Sequence, residues 1–130
     1  MVLEITQYGD PVLRKKCRKL EEVDGTLLEL AQNMLETMID ANGVGLAAPQ
    51  VGEDIRMAVI DVSHDPECVT FLKVNGEDVS MEEVMPLVFI NPELELDGPR
   101  KSDTEGCLSI DNIRANVRRP SIVKAKLQQL

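Results

Sequence analysis

The sequence predicts an α+β fold in a single domain over residues 1–130. A chain of 130 residues is close to the commonest domain size. One segment near the start has the period of an amphipathic helix, and strand patterns are grouped around it. This grouping differs from the regular alternation of strands and helices that a wound parallel sheet requires.

The helix is predicted over Thr26–Ala41, TLLELAQNMLETMIDA. Its apolar residues, from Leu27 to Met38, recur at intervals of three and four, which gives one buried stripe. Thr26 and Glu29 have the spacing of a capping box, and Asn42-Gly43 is a typical stop signal.

The other elements are predicted to be a turn and three strands. YGDPVL (8–13) is rich in turn-forming residues. IRMAVIDV (55–62) and PLVFINPELEL (86–96) have the composition of buried strands, with a break in the second at Asn91-Pro92. SIVKAKLQQL (121–130) alternates apolar and polar residues, as a half-buried strand does.

A polar and acidic segment, residues 63–85, lies between the first two strands. Asn75-Gly76 predicts a short hairpin within it. The segment holds the only histidine of the chain, His64. Because no second ligand stands at a metal-binding spacing from it, His64 is expected to be a solvated loop residue.

Charge and composition disfavour several classes of partner. Fourteen basic against 23 acidic residues give a formal net charge of −9, whereas nucleic acid and anionic membranes attract basic surfaces. No apolar run approaches the roughly 20 residues of a membrane span, and the N-terminus lacks the apolar core of a signal peptide. Three cysteines without paired spacing indicate a reducing compartment, so we expect a cytoplasmic protein.

The stretch ANGVGLAAPQVG (41–52) is the first whose composition suggests chemistry. It is not a phosphate loop, because no Lys-Ser/Thr follows. Its glycines allow another backbone, such as that of a peptide substrate, to approach closely. Gln50 ends a rigid Ala-Ala-Pro segment, and its amide N–H could stabilise an oxyanion. A simple helix-to-strand turn explains the same residues.

Cys107 lies in TEGCLSIDNIRANV (104–117), between a glycine and a leucine. Three roles are open on the residues alone: a metal ligand, a nucleophile, or a side chain that only fills space. The nucleophile is the least supported, because the chain offers no His-Asn/Asp pair to activate the thiol.

Two of these stretches together resemble a known family. GVGLAAPQ (43–50) and EGCLS (105–109) are similar to the first two of three signature motifs of the peptide deformylases. YGDPVLR (8–14), INPEL (90–94) and RRP (118–120) also resemble that family, in the same order. The resemblance covers essentially the whole chain. It implies a fold with mixed or antiparallel strands around a helix, and a hydrolase that removes the N-formyl group from N-formylmethionine of nascent polypeptides near the ribosome.

The resemblance also implies roles for individual residues. Cys107 matches the thiolate ligand of a divalent metal, Fe²⁺ or Zn²⁺. Gln50 and the backbone N–H of Leu108 match the groups that stabilise the oxyanion on the formyl carbon. The positions implied to contact substrate are Gly43, Val44, Gly45, Glu105, Gly106 and Arg114.

The third family motif, His-Glu-x-x-His on a helix after the cysteine, is absent from these residues. In the family it supplies two imidazole ligands and the general acid-base glutamate, and the i, i+4 spacing puts both histidines on one helical face. No histidine follows Cys107. We therefore expect a domain truncated at its C-terminus, with an incomplete metal site and little or no activity as a 130-residue chain.

Two functions remain open. The first is a peptide deformylase whose metal-ligating segment comes from outside these residues, and the second is a catalytically incomplete peptide-binding or remnant protein. Loss of a core helix would also uncover strands 55–62 and 86–96, and ~400 Å² of lost apolar burial corresponds to about 10 kcal/mol. We therefore expect self-association through an apolar patch between these strands and the Leu27–Met38 stripe.

Overall fold

The fold is α+β, as predicted, and a computed structural model describes residues 1–65 and 71–130. The helices and strands are α1 (Gly25–Asp40), β1 (Gly45–Ala47), β2 (Met57–Ile60), β3 (Lys73–Val74), β4 (Glu77–Asp78), α2 (Met81–Val84), β5 (Leu87–Cys107) and β6 (Ile110–Gln129). Two 3₁₀ turns, Pro11–Arg14 and Ala48–Val51, lie before α1 and directly after β1.

Helix α1 confirms the predicted helix but has a different cap. The carboxylate of Asp24 accepts the Leu27 N–H at 2.9 Å, so the helix begins at Gly25 and the cap predicted at Thr26 is wrong. An aspartate at this position satisfies an amide that has no partner within the first turn of the helix. Past the helix, Asn42 has a φ of 56°, the left-handed conformation typical of a helix stop.

Two predicted turns and one predicted loop residue are confirmed. In the first turn, Gly9 has a φ of 103° and the Asp10 side chain caps the 3₁₀ turn that follows. In the second, β3 and β4 pair as a hairpin through Asn75 and Gly76, whose φ angles are 52° and 83°. Two positive φ values in a row are what a tight hairpin with right-handed strand twist needs. His64 lies in an exposed turn after β2.

Four strands form one sheet in the order β1-β2-β5-β6, and every neighbouring pair is antiparallel. The strand predicted at 55–62 is confirmed as β2. Strands β1 and β6 stand at the two ends of this order, so each presents one edge that no described strand of the sheet pairs with.

The core lies between α1 and the sheet residues up to position 90. Its buried apolar residues are Leu27, Ala31, Met34, Met38, Leu46, Ala48, Ile55, Met57, Val59, Val88 and Ile90. The helix stripe and the strands therefore cover each other. The expectation that strands 55–62 and 86–96 lose their cover next to this stripe is wrong for the residues up to 90, because these residues are buried in one cluster with the α1 stripe.

Strand β5 continues through the break predicted at Asn91-Pro92. The pairing register with β6 shifts just after residue 90, and Asn91 has a φ of 52°. The Asn91 side chain holds this irregularity: Oδ1 accepts the Leu20 N–H at 2.8 Å, and Nδ2 donates to the Leu20 carbonyl at 2.6 Å. A bulge absorbs the interruption, so the strand runs on to Cys107 instead of ending near residue 96.

Beyond the bulge, β5 and β6 form a long two-stranded ribbon whose side chains are mostly exposed. The strand predicted at 121–130 is the last part of β6. Leu108 and Ser109 connect the two strands at the tip of the ribbon. The ribbon tip therefore returns to the end of the molecule where α1 ends and β1 begins, as the contacts of Leu108 with Gly43 show.

Candidate active site

Gln50 and Cys107 come together although they are 57 positions apart in the chain. Gln50 lies in the 3₁₀ turn after β1, and Cys107 is the last residue of β5. The Gln50 Nε2 is 3.9 Å from the Cys107 Sγ. The two side chains are therefore close enough to contact one small molecule. The chemical roles assigned to them stay predictions.

The side-chain amide of Gln50 is held at both ends. Its Oε1 accepts the Ala47 N–H at 3.0 Å, and its Nε2 donates to the Ser109 Oγ at 3.2 Å. The Gln50 carbonyl also accepts the Thr6 N–H at 2.8 Å, which fixes the turn itself. Because Nε2 carries two hydrogens and Ser109 takes one, the second N–H is the one that donates to the Cys107 Sγ.

Ser109 is a site residue that the sequence analysis did not identify. It is 3% exposed, and its carbonyl accepts the Tyr8 N–H at 2.7 Å. Ser109 therefore ties the ribbon tip both to Gln50 and to the N-terminal segment. The sequence feature that could have indicated Ser109 is its position as the last residue of EGCLS. That motif does not predict, however, that the serine is buried.

Leu108 is positioned by its side chain, which packs against the core. A Cβ built on Gly43 would lie 2.7 Å from the Leu108 Cδ1 and 3.5 Å from the Met38 Cγ. A side chain at position 43 would therefore require the end of the Leu108 side chain to shift. Packing against Leu108 therefore explains why a glycine stands at position 43. The contact of Gly43 with substrate that the family resemblance implies stays a prediction.

Cys107 carries a free and exposed thiol. It lies opposite Ile110, where the ladder between β5 and β6 shifts register. A cysteine that only fills space is normally buried, so this exposure argues against the space-filling role. A thiol beside an oriented amide suits a ligand or a nucleophile better.

Glu105 is paired with Arg119 and not with Arg114. The guanidinium of Arg119 donates to both carboxylate oxygens, at 2.7 and 2.8 Å, in a two-pronged contact. Hydrogen bonding to Arg119 lowers the pKa of Glu105, and the same contact raises the pKa of Arg119. Arg114 lies opposite Gly106 across the ladder. The implied substrate contacts of these ribbon residues stay predictions.

Strand β1 presents a backbone edge next to Gln50. The Asp61 N–H donates to the Val44 carbonyl at 2.9 Å, so the polar groups of Val44 face the β2 side. By antiparallel alternation, the N–H and carbonyl of Gly45 and Ala47 face the opposite side. The hydrogen bond that the Ala47 N–H donates to the Gln50 Oε1 agrees with this orientation. This geometry suits an extended peptide pairing along Gly45, whereas the Val44 carbonyl is already engaged.

The described residues supply one donor for the implied metal, the Cys107 thiolate. Within residues 1–65 and 71–130, no three His, Cys, Asp or Glu side chains gather closely enough to hold a metal ion. A catalytic site of this type needs about three protein ligands and an open position. The described residues therefore do not complete the implied Fe²⁺ or Zn²⁺ site.

Comparison with known proteins decides the family. The family model described as polypeptide deformylase matches residues 2–130. The chain belongs to the polypeptide deformylase family. It is 46% identical over 123 residues to the peptide deformylase of Clostridium botulinum (strain Alaska E43 / Type E3), covering 94% of this chain and 69% of that protein.

Solved peptide deformylases share the fold. The crystal structure from Thermotoga maritima matches with a TM-score of 0.78 and 35% identity, over 99% of this chain and 75% of that one. The class I type b enzyme from Acinetobacter baumannii with Met-Ala-Ser bound matches with a TM-score of 0.80 and 28% identity, over 99% of this chain and 77% of that one.

These matches confirm the family, the fold and the peptide deformylase function predicted from the sequence. Peptide deformylases are hydrolases and are in general metal-dependent. The chain spans 69% of the Clostridium botulinum protein and only 60% of another curated relative. In the described part of the chain, no helix is long and apolar enough to cross a membrane.

Proposed function

We propose that this deformylase chain acts in the hydrolytic removal of the N-formyl group from N-formylmethionine of nascent polypeptides. The observation that carries the proposal is the 3.9 Å approach of the Gln50 Nε2 to the Cys107 Sγ, in a member of the polypeptide deformylase family. The Acinetobacter baumannii relative with Met-Ala-Ser bound supports a peptide that begins with methionine as the ligand.

The chain's own residues bind the peptide and polarise its formyl carbonyl. An extended peptide pairs with the β1 edge at Gly45, which lies three residues before the turn that carries Gln50. The Gln50 N–H that faces the Cys107 Sγ and the Leu108 backbone N–H then donate to the formyl oxygen as negative charge develops on it. Since Ala47 and Ser109 already orient the Gln50 amide, this donation needs little reorganisation.

Cys107 serves as one ligand of Fe²⁺ or Zn²⁺, which when bound supplies an activated water and a Lewis acid. In the family, the other ligands and the general base come from the His-Glu-x-x-His motif, which does not occur in these 130 residues. We therefore expect the 130-residue polypeptide alone to hold divalent metal weakly and to deformylate slowly or not at all, because one thiolate lacks the affinity of three ligands.

The test compares two polypeptides: the 130 residues alone, and the same residues joined to the segment of the Clostridium botulinum relative that follows the matched region. Formate release from formyl-Met-Ala-Ser is measured with each, under anaerobic Fe²⁺ and with Zn²⁺. We expect turnover by the joined polypeptide only, and loss of that turnover in its Cys107→Ser variant. Rapid turnover by the 130 residues alone would contradict the proposed ligand set.

A catalytically incomplete peptide-binding protein is the second candidate, since no histidine follows Cys107 in these residues. It predicts that the joined polypeptide loads metal and binds Met-Ala-Ser, measured by calorimetry, without releasing formate from the formylated peptide. The deformylase proposal predicts binding and release together, so one pair of measurements separates the two.

We further propose that the reaction takes place in the cytoplasm, close to ribosomes, without direct contact to nucleic acid or membrane. Formylated N-termini arise on nascent chains, and the free thiols of Cys17 and Cys107 suit a reducing compartment. The net charge of −9 opposes binding to RNA or to an anionic bilayer.

A further inference from the structure

Residues 6–8, called here the N-terminal strap, contact both segments that supply the proposed oxyanion donors. At the first end, the Thr6 N–H donates to the Gln50 carbonyl at 2.8 Å. The Thr6 Oγ1 donates to the Pro49 carbonyl at 2.9 Å, in a partly buried contact. Two hydrogen bonds from one residue therefore hold the turn that carries the Gln50 side chain.

The other end of the N-terminal strap holds the tip of the ribbon. The Tyr8 N–H donates to the carbonyl of the buried Ser109 at 2.7 Å. The Gln7 Nε2 donates to the Leu108 carbonyl at 3.3 Å. The Tyr8 side chain is 71% exposed, so the contact that Tyr8 makes with the site goes through its backbone.

The length of the strap limits the distance between the two segments. Thr6 and Tyr8 are two positions apart, and a chain spans at most about 7 Å over two residues. The strap therefore keeps the Ser109 Oγ close to the Gln50 Nε2, which donates to it at 3.2 Å. Because the Gln50 Oε1 accepts the Ala47 N–H, the strap, Ser109 and Gln50 form one connected network of hydrogen bonds.

The hydrogen bonds of the strap leave both proposed oxyanion donors available. The strap donates to carbonyls, whereas the donors to the formyl oxygen are the Gln50 Nε2 and the Leu108 N–H. The contact of the Gln50 Nε2 with the Cys107 Sγ has to give way when that N–H donates to substrate. The strap contacts persist through this exchange of partners, so they are suited to hold the site while it occurs.

We propose that the N-terminal strap is a positioning element for deformylation. It holds the Gln50 turn and the ribbon tip at a fixed separation, so that the Gln50 amide and the Leu108 N–H converge on one oxygen. An oxyanion site works because its donors are aimed before charge develops, and a misplacement of about 1 Å costs about 100-fold in rate. This catalytic role rests on the proposed function, whereas the orientation of Gln50 by the strap does not.

Tyr8 offers a variant that removes one strap contact and keeps the local turn. The Asp10 N–H donates to the Gln7 carbonyl at 3.0 Å and Gly9 has a φ of 103°, which is typical of a type II turn with Tyr8 in second position. Proline is common at that position and has no N–H, so Tyr8→Pro deletes the donor to Ser109. Tyr8→Ala is the matched control, because it removes the same side chain and keeps the N–H.

Hydrogen exchange of the 130-residue chain, followed by NMR, tests the orientation of Gln50 without catalysis. The Ala47 amide reports this orientation, because its acceptor is the Gln50 Oε1. We expect the Ala47 amide to exchange at least about 10-fold faster in Tyr8→Pro than in Tyr8→Ala. The amide of the buried Val59, in a strand that is paired on both sides, should exchange at the same rate in both variants.

Formate release from formyl-Met-Ala-Ser by the joined polypeptide tests the catalytic consequence. The kcat should be at least about 10-fold lower in Tyr8→Pro than in Tyr8→Ala, with little change in KM, because the oxyanion forms only in the transition state. This ratio should shrink in a Gln50→Leu background, since the strap acts through Gln50. Thr6→Val, which loses the hydroxyl contact with Pro49, should also lower kcat, and Thr6→Ser should restore it.

Three results would overturn the positioning role. The first is an Ala47 amide that exchanges at the same rate in the two Tyr8 variants. The second is a Val59 amide that accelerates as much as the Ala47 amide, which would indicate general loosening of the fold. The third is a kcat ratio that Gln50→Leu leaves unchanged. If no joined polypeptide releases formate, the proposed function is contradicted instead, and the exchange rates alone decide whether the strap orients Gln50.

Discussion

Replacing Gly43 with alanine should destabilise the protein by displacing Leu108. The added Cβ would lie 2.7 Å from the Leu108 Cδ1, well inside the distance at which carbon atoms attract. An extra methyl group in a packed region costs roughly 1–3 kcal/mol. Alanine also restricts the unfolded chain, which offsets about 0.4–1 kcal/mol of that cost. The net expectation for Gly43→Ala is a loss of about 1 kcal/mol in the free energy of unfolding.

Urea denaturation of a double-mutant cycle measures this effect. In Leu108→Ala the Cδ1 atom is gone, so Gly43→Ala should cost nothing there and the two changes should be coupled by about 1 kcal/mol or more. Gly25→Ala is the matched control, because nothing lies within 4 Å of a Cβ built at that position. It should stabilise α1 by about 0.5 kcal/mol. A Gly43→Ala cost that is equal in both backgrounds would refute the packing argument.

Three further substitutions test other parts of the structure, each by urea unfolding. Ser109→Ala removes the buried hydroxyl that accepts a hydrogen bond from the Gln50 side-chain amide, and should lower the free energy of unfolding by about 1 kcal/mol. An unchanged free energy of unfolding would contradict this contact. Asn91→Ala removes two hydrogen bonds to the Leu20 backbone and should cost about 2 kcal/mol, whereas a cost under about 0.5 kcal/mol would show that the bulge does not depend on them. Glu105→Gln should lower stability at neutral pH, because Arg119 lowers the pKa of Glu105 in the folded state and therefore stabilises its ionised form. That difference should be constant above about pH 5 and vanish as the pH falls through the lowered pKa of the folded state; a difference that grows in acid would contradict the pairing.

The parts of the fold that depend on local patterns were predictable from the sequence. The stripe from Leu27 to Met38 has the helix period, and Asn75-Gly76 is a sufficient signal for a hairpin turn. The approach of Gln50 to Cys107 followed from the resemblance to a family, because the 57 positions between them carry no local signal of contact.

The remaining features depend on three-dimensional context. The break at Asn91 became a bulge because its side chain happens to meet the Leu20 backbone, which no local pattern indicates. Glu105 reaches Arg119 although the strand register places Ala115 opposite it, so the pair depends on the length of the arginine side chain. The burial of Ser109 depends on how the ribbon tip returns to the N-terminal segment.

The central claim is that Cys107 is a metal ligand in a site that Gln50 helps to form. Cobalt titration of the 130 residues joined to the following segment of the Clostridium botulinum relative tests it most directly, because a thiolate bound to Co²⁺ gives a near-ultraviolet charge-transfer band. The account predicts a band that saturates at one equivalent, persists in Cys17→Ser and is lost in Cys107→Ser. In Gln50→Leu the band should remain while formate release falls by about 100- to 1,000-fold. A band that persists in Cys107→Ser would contradict the account.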